Sequence, residues 1–529
     1  MSELIAEELE IEETKQETAL LTASNTRPSS VGDKYFRTDH LRQNLGGRAA
    51  RGGVLAITSQ ALKFAITIGA TSIMARLLSP YDYGVIGMVA FVTAFLSTYK
   101  DLGLSAATIQ RPEITSDQIS TLFWINLGLS LGISLITIVI APIVAWFYGE
   151  PKLTAITAVT AFGFLISGLT VQHDALLRRQ MRYGALSAIN LISMIMGYAV
   201  GIYMATVGFS YWALVGSQLA LATTSTLLTI ILCRWVPGLP RRNTGARSML
   251  RFGGNLTGFA SINFFSRNLD NLLIGRVWGA QQLGVYGRAY QLMMLPIEQI
   301  NEPMTSVAVP TLSRLMGNDE AYRKAYLRML EKIALITMPG VGLLITTADW
   351  IVAIVLGPKW TEVATLLAVL GIVGLIQPIS NTTGWLFVTQ GRTKEMFKLA
   401  MIGGPITMAS IVVGLPWGAK GVAISYVTVQ LLKTHIVYWW VGRKGPVKTV
   451  DFYRIIGTFG LASACGIISS LAYRYWEQPS NPFVGIFSCS LIMAGTMLLG
   501  LVIFPYGRQA LRDVVQSVAL LRKVASATT

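Results

Sequence analysis

Charge is scarce in this chain. Of its 529 residues only 13% are Asp, Glu, Lys or Arg, where a soluble globular domain carries about 25%. With 52% hydrophobic residues and a mean hydropathy of +0.53, the composition excludes a large soluble enzyme and a disordered protein. Cysteine is nearly absent: Cys233, Cys465 and Cys489 lie within or at the ends of apolar stretches and cannot build a disulfide framework. The three histidines (His40, His173, His435) are too far apart for metal-ligand spacing, so no metal or other cofactor is expected. A G-x-x-x-x-G-K-S/T loop is missing, and so are H-E-x-x-H and C-x-x-C. The chain therefore offers no P-loop for ATP hydrolysis, and the connecting segments are too short for a glycosyl-transfer or ligase site. An enzyme reading has little support.

The long polar exception is 1–50. It opens acidic (Glu3, Glu7, Glu8, Glu10, Glu12, Glu13, Glu17) and turns basic (Arg27, Lys34, Arg37, Arg42, Arg48). That composition predicts a disordered tail, and no apolar run follows a basic start as in a signal peptide.

Beyond it, fourteen apolar stretches follow at 53–78, 84–106, 118–141, 153–173, 185–207, 211–232, 253–275, 284–309, 328–348, 361–388, 396–415, 419–441, 454–473 and 483–505. A spanning helix needs about 20 residues, so most are full spans. The expected fold is an all-α polytopic membrane protein with about 14 transmembrane helices. Alternate loops and the two tails hold 31 Lys and Arg, whereas the loops between them hold six (Arg76, Lys152, Arg276, Lys359, Lys420, Arg474). Basic loops stay in the cytoplasm. Both termini are therefore expected there, including a C-terminal tail at 507–529, and an even helix count follows. The net charge of +16 is then a topology signal, and no nucleic-acid partner is expected.

An internal repeat divides the spans. Residues 75–87 align with 275–287 at an offset of 200 without a gap, with Arg76/Arg276, Gly84/Gly284, Val85/Val285 and Gly87/Gly287 identical. Each segment joins the first and second span of a six-helix set. Six is even, so the sets share one orientation and are related by an axis along the membrane normal. The expected organisation is a lobe at 51–235 (spans 1–6), a parallel lobe at 248–441 (spans 7–12) and two additional C-terminal helices at 452–506. Such repeats usually build a transporter with a central cavity.

Polar residues within the spans mark that cavity. A charge at mid-bilayer costs roughly 2.5–3.5 kcal/mol on insertion scales and should face a cavity or a partner. In span 1, Gln60, Lys63, Thr67 and Thr71 form one stripe at helical spacing; in span 7, Asn263, Arg267, Asp270 and Asn271 form another. The offset matches Lys63 with Asn263, Thr67 with Arg267 and Thr71 with Asn271. Taken together the stripes are net cationic and are expected to line one cavity; a self-satisfying Arg267–Asp270 pair is the alternative. Span 8 adds Arg288, Gln291, Glu298, Glu302 and three prolines, Pro296, Pro303 and Pro310, that predict a kink. Glu298 and Glu302 share a face, and two close carboxylates in low dielectric make candidate proton carriers or, equally, structural counter-ions to Arg288 or Arg267.

The motifs in order support a resemblance: Ala75-Arg-Leu-Leu-Ser-Pro-Tyr-Asp-Tyr-Gly84, Asp101-Leu-Gly-Leu-Ser-Ala-Ala-Thr-Ile-Gln110, Leu177-Arg-Arg-Gln-Met-Arg-Tyr183, Arg251-Phe-Gly-Gly254 and Asp270-Asn-Leu-Leu-Ile-Gly275. They continue with Gly284-Val-Tyr-Gly-Arg-Ala-Tyr290, Val309-Pro-Thr-Leu-Ser-Arg314, Gly357-Pro-Lys-Trp360 and Gly384-Trp-Leu-Phe-Val-Thr-Gln-Gly-Arg392. Over roughly 50–510 the chain resembles the Wzx-type polysaccharide flippases of the multidrug/oligosaccharidyl-lipid/polysaccharide exporter superfamily, most of all the exopolysaccharide and colanic-acid branch. The resemblance implies an inner-membrane protein that moves an undecaprenyl-pyrophosphate-linked oligosaccharide from the cytoplasmic to the outer leaflet. It implies V-shaped alternating access, membrane lipid around the protein and a polysaccharide polymerase or export complex as partner. By position Arg267 and Lys63 would hold the pyrophosphate, with Asn263, Asn271 and Gln291 facing sugar hydroxyls. A multidrug exporter of the same superfamily is the rival reading, disfavoured by the helix count and the cationic stripes. A polymerase or ligase is a second rival, disfavoured by the lack of a sizeable outer loop.

Overall fold

A computed structural model describes residues 45–503 apart from 102, 111–113 and 241–245, together with 507–508 and 512; the described side chains exclude 45–57, 106–107, 110, 246–263 and 266. The predicted tails therefore fall almost wholly outside the described residues. Sixteen α-helices follow in order. The first eight are α1 (Leu45–Leu77), α2 (Pro80–Ser97), α3 (Leu104–Gln110), α4 (Ser116–Tyr148), α5 (Lys152–Gly168), α6 (Val171–Arg179), α7 (Tyr183–Thr206) and α8 (Trp212–Cys233). The rest are α9 (Ala246–Arg314), α10 (Asp319–Thr346), α11 (Ala348–Val355), α12 (Thr361–Thr389), α13 (Thr393–Gly414), α14 (Gly418–Gly442), α15 (Thr449–Glu477) and α16 (Pro482–Ile503).

The predicted spans fall on these helices, with 84–106 running over α2 and α3 and 153–173 over α5 and α6. Among the described residues, nine helical stretches are long and apolar enough to cross a membrane, and the α5–α6 pair, bent by 41°, makes a tenth. Apart from the short α3 and α11, the helices outside that set are α1 and α9, which are the ones that carry the polar stripes. The sequence placed a loop between spans 7 and 8, but α9 runs through it as two arms that meet at Gly279 (φ 76°, ψ −177°). Only glycine adopts that backbone without strain, so the reversal needs a single residue. Pro296, Pro303 and Pro310 sit inside the second arm, and the non-helical residue within α9 is Gly279. Capping boxes start the neighbouring helices. Ser79 and Asp82 exchange side-chain bonds with each other's backbone at the start of α2, and Thr115 and Gln118 do so at α4.

Buried apolar residues form three clusters that show how the helix sets meet. One contains residues of both sets, among them Met74, Tyr83 and Met88 of α1 and α2 with Leu283, Val352 and Trp360 of the second set. It lies toward the face with few basic loops. Toward the basic-loop face the cores are separate: Leu104, Ile119, Phe123 and Leu177 in the first set, and Leu330, Ile333, Phe387 and Phe452 in the second. The two sets thus join at one face and part toward the other. The additional pair α15–α16 packs on the second set and is pinned at both ends of α15. Asp451, 2% exposed on its side chain, takes two bonds from Arg323 at 2.6 and 2.9 Å. At the other end Arg474 pairs with Asp349 at 2.6 Å and stacks on Trp350.

Candidate functional site

The closed face is built from the repeat. A Cβ on Gly84 would stand 1.7 Å from the Ala280 carbonyl oxygen, and one on Gly284 would stand 1.9 Å from that of Pro80. Pro80 and Ala280 are themselves repeat equivalents, as are Gly84 and Gly284. The two sets therefore touch backbone to backbone through a pseudo-two-fold contact that no side chain fits. Around it, both arginines of the repeat reach across. Arg76 donates to the Ile354 carbonyl at 2.8 Å, and its own carbonyl accepts from Lys359 at 3.1 Å. Trp360 donates to the Ala75 carbonyl at 2.8 Å and meets Tyr83 edge-on. On the other side Arg276 lies over the Phe147 ring at 5.7 Å. Toward the basic face the bridge is lighter. It consists of the rings Phe91 and Phe95 of α2 against Phe264 and Phe265 of α9, and one amide pair, Gln60 to Gln299 at 2.6 Å.

Between these two closures stand the residues singled out by their polarity. Arg288 is at the lobe boundary: its guanidinium lies 3.7 Å above the Tyr83 ring of the first set, and it donates to Gln291. Arg288 and Gln291 line one small void with Ile68 and Thr71 of α1, so the polar stripe of span 1 does meet span 8. Lys63 is half-buried, one turn from Gln60. Glu298 and Glu302 are both exposed, and Glu298 stands within electrostatic reach of Glu302 and of Arg267. Asn271 is half-buried, and the side chain of Asn263 lies outside the described residues.

Two of the expected site residues are placed differently. Asp270 does not line a cavity. It is 4% exposed, and its carboxylate accepts from the Tyr286 hydroxyl and from the Asn271 amide, both at 2.8 Å. A buried carboxylate needs partners, and the tyrosine of the second arm supplies one without Arg267. Arg267 is exposed and lines a cavity whose walls do not include Lys63. As a whole α9 packs on α12, α13 and α14, and Arg267 shares this cavity of about 370 Å³ with Asn381, Thr407, Gln430 and Lys433. Lys433, not singled out from the sequence, donates to Thr407 at 2.9 Å. A lysine in the middle of the apolar run 419–441 is the signal that could have found it.

The arrangement holds cations at two depths, Arg288 near the closed face and Arg267 with Lys433 farther toward the basic face. Guanidinium groups bind phosphate oxygens through paired, charge-assisted hydrogen bonds. The interior is thus suited to a phosphorylated, hydroxyl-rich ligand.

Comparison with known proteins agrees with the fold. A model of the family described as "Polysaccharide biosynthesis protein" matches residues 73–365, more than half of the chain. The chain is 27% identical to the teichuronic acid biosynthesis protein TuaB of Bacillus subtilis (strain 168), over 71% of this chain and 79% of that protein. It is 25% identical to the lipopolysaccharide biosynthesis protein WzxC of Escherichia coli (strain K12), over 70% of this chain and 75% of that one. Among solved structures it superposes on the lipid II flippase MurJ in an inward closed conformation, with a TM-score of 0.67 and 13% identity, over 88% of this chain and 100% of that chain. That likeness is one of fold.

Proposed function

The chain belongs to the polysaccharide biosynthesis protein family, and from that premise we propose that it is a flippase for polyprenyl-pyrophosphate-linked oligosaccharide repeat units. It carries them from the cytoplasmic to the outer leaflet of the bacterial inner membrane by alternating access, for exopolysaccharide or lipopolysaccharide synthesis. The basic-loop face is cytoplasmic, both tails lie there, and the present state is closed outward. The two lobes are 51–235 and 248–441, with 452–506 appended. The observation that carries the reading is the single core shared at the weakly basic face beside separate cores at the basic face. Such a body opens one way at a time when it rocks about the boundary. Its interior cations supply the affinity for a diphosphate, and the inside-negative potential favours outward movement of an anion by about 2.3 kcal/mol per charge per 100 mV. A polymerase or export complex that consumes the product outside keeps the gradient favourable.

Deleting the gene and weighing the lipid-linked glycans that accumulate tests the reading. Build-up of one polyprenyl-diphosphate oligosaccharide, with loss of surface polymer, supports it. Unchanged lipid-linked pools refute it.

A further inference from the structure

The cavity around Arg267 and Lys433 has a composition that the central boundary between the sets does not. Its polar wall is made by Arg267 of α9, Asn381 of α12, Thr407 of α13 and Gln430 and Lys433 of α14. Two cations line it and, among the described residues, no carboxylate does. Lys433 lies nine residues from the basic end of α14, about 14 Å inside at 1.5 Å per residue, so its ammonium is held at hydrocarbon depth. That is a costly place for a charge whose partner is a neutral threonine hydroxyl. Gly403 gives the lysine stem its room, since a Cβ there would stand 3.2 Å from Lys433 Cδ. Gln430 donates to the Tyr426 hydroxyl at 3.1 Å, while its own carbonyl oxygen is buried with no partner and awaits a donor. Apart from Thr383, the rest of the wall is apolar. Met401, Ile402, Ile406 and Ile436 are 41–53% exposed and stand on membrane-spanning helices, where acyl chains surround them.

A cationic floor with a hydrocarbon rim fits an amphiphilic anion better than a free one. We propose that this second-lobe cavity is a seat for the diphosphate of a polyprenyl-linked substrate, with Arg267 and Lys433 on the phosphates, Gln430 accepting from the first sugar's hydroxyl, and the prenyl chain lying out over Met401, Ile402 and Ile406. It rests on the flippase reading and adds to it a second substrate position, away from the lobe boundary marked by Arg288. The lipid enters the protein sideways, along α13, with its chain never leaving the bilayer.

Purified full-length protein in nanodiscs tests this with undecaprenyl diphosphate as probe, read by native mass spectrometry, and with a photoreactive analogue to map the prenyl contact. Lys433→Met, which removes a charge from the membrane and keeps the stem, is expected to weaken binding at least tenfold. Lys420→Met, exposed at the opposite end of the same helix and outside the cavity, is expected to leave this affinity within about twofold. The photoreactive chain is expected to label α13 at 401–406. Inorganic pyrophosphate at a hundredfold excess is expected not to compete; competition would make this a free-anion site and overturn the proposal. Equal binding of phosphatidylglycerol would make it a bulk-lipid site and overturn it too. If the wild type binds the probe and Lys433→Met binds as well, the seat is elsewhere and the flippase reading stands. If the wild type does not bind it at all, the flippase reading itself fails.

Discussion

The outer seal gives the sharpest prediction because its geometry leaves no room. A methyl on Gly84 would stand 1.7 Å from the Ala280 oxygen, so Gly84→Ala forces α2 and the second arm of α9 apart by roughly 1.5 Å to restore ordinary contact. Overpacking of this kind costs about 1–3 kcal/mol. That penalty falls on the closed-outward state, where the helices touch, and not on a state in which they have parted. A bias of about 1–3 kcal/mol shifts a two-state equilibrium by about 5- to 150-fold. The assay replaces Cys233, Cys465 and Cys489 by serine or alanine and places one cysteine at Ala75, which is fully buried at the seal. Its labelling by a membrane-impermeant maleimide added outside is then followed. Gly84→Ala is expected to raise the rate at least fivefold, and Gly284→Ala to do the same. The two are not additive, because they relieve one contact. Gly287→Ala is the control: it belongs to the same repeat, yet nothing lies within 4 Å of its Cβ position. Equal rates for Gly84→Ala, Gly287→Ala and the parent would refute the seal.

Three further predictions follow from placed side chains. Asp270→Ala strands a buried Tyr286 hydroxyl, which costs about 1–3 kcal/mol; the melting temperature in detergent is expected to fall while probe affinity stays level, and lost affinity with unchanged melting would restore Asp270 to the site. Asp451→Ala removes the paired acceptor of Arg323 and is expected to cost about 1.5–3 kcal/mol of stability, seen as faster proteolysis between α14 and α15; an unchanged digest would deny the clamp. Glu298→Gln with Glu302→Gln tests proton coupling: the double variant is expected to flip substrate at a rate that no longer varies with pH, and a parental pH profile would remove the pair from any coupling role.

Much of the architecture was legible because the bilayer simplifies the code. Apolar runs of spanning length must be helices, and the predicted spans fall on helices. The repeat was legible too, and its meaning became physical only in the structure, where Gly84 and Gly284 turn out to be the contact itself. What escaped is local. The join between the two arms of α9 read as a loop because Gln281 and Gln282 are polar, although Gly279 alone makes the turn. Asp270 and Arg267 sit one turn apart and read as one stripe. Rotation about the axis sends the carboxylate to Tyr286 and the guanidinium to a cavity of the second set, and helical spacing by itself does not give that rotation. Lys433 escaped because a lysine in the middle of an apolar run carries no period.

The central claim is that cations inside this helical body move a lipid diphosphate across the bilayer. Proteoliposomes holding the purified protein and a fluorescent undecaprenyl-diphosphate oligosaccharide in the inner leaflet measure it directly, through quenching by a reagent confined to the outside. The account predicts protein-dependent appearance of the label outside, reduced at least tenfold by Arg267→Ala at equal protein content. Appearance at the rate of empty vesicles, or equal rates for wild type and variant, would contradict it.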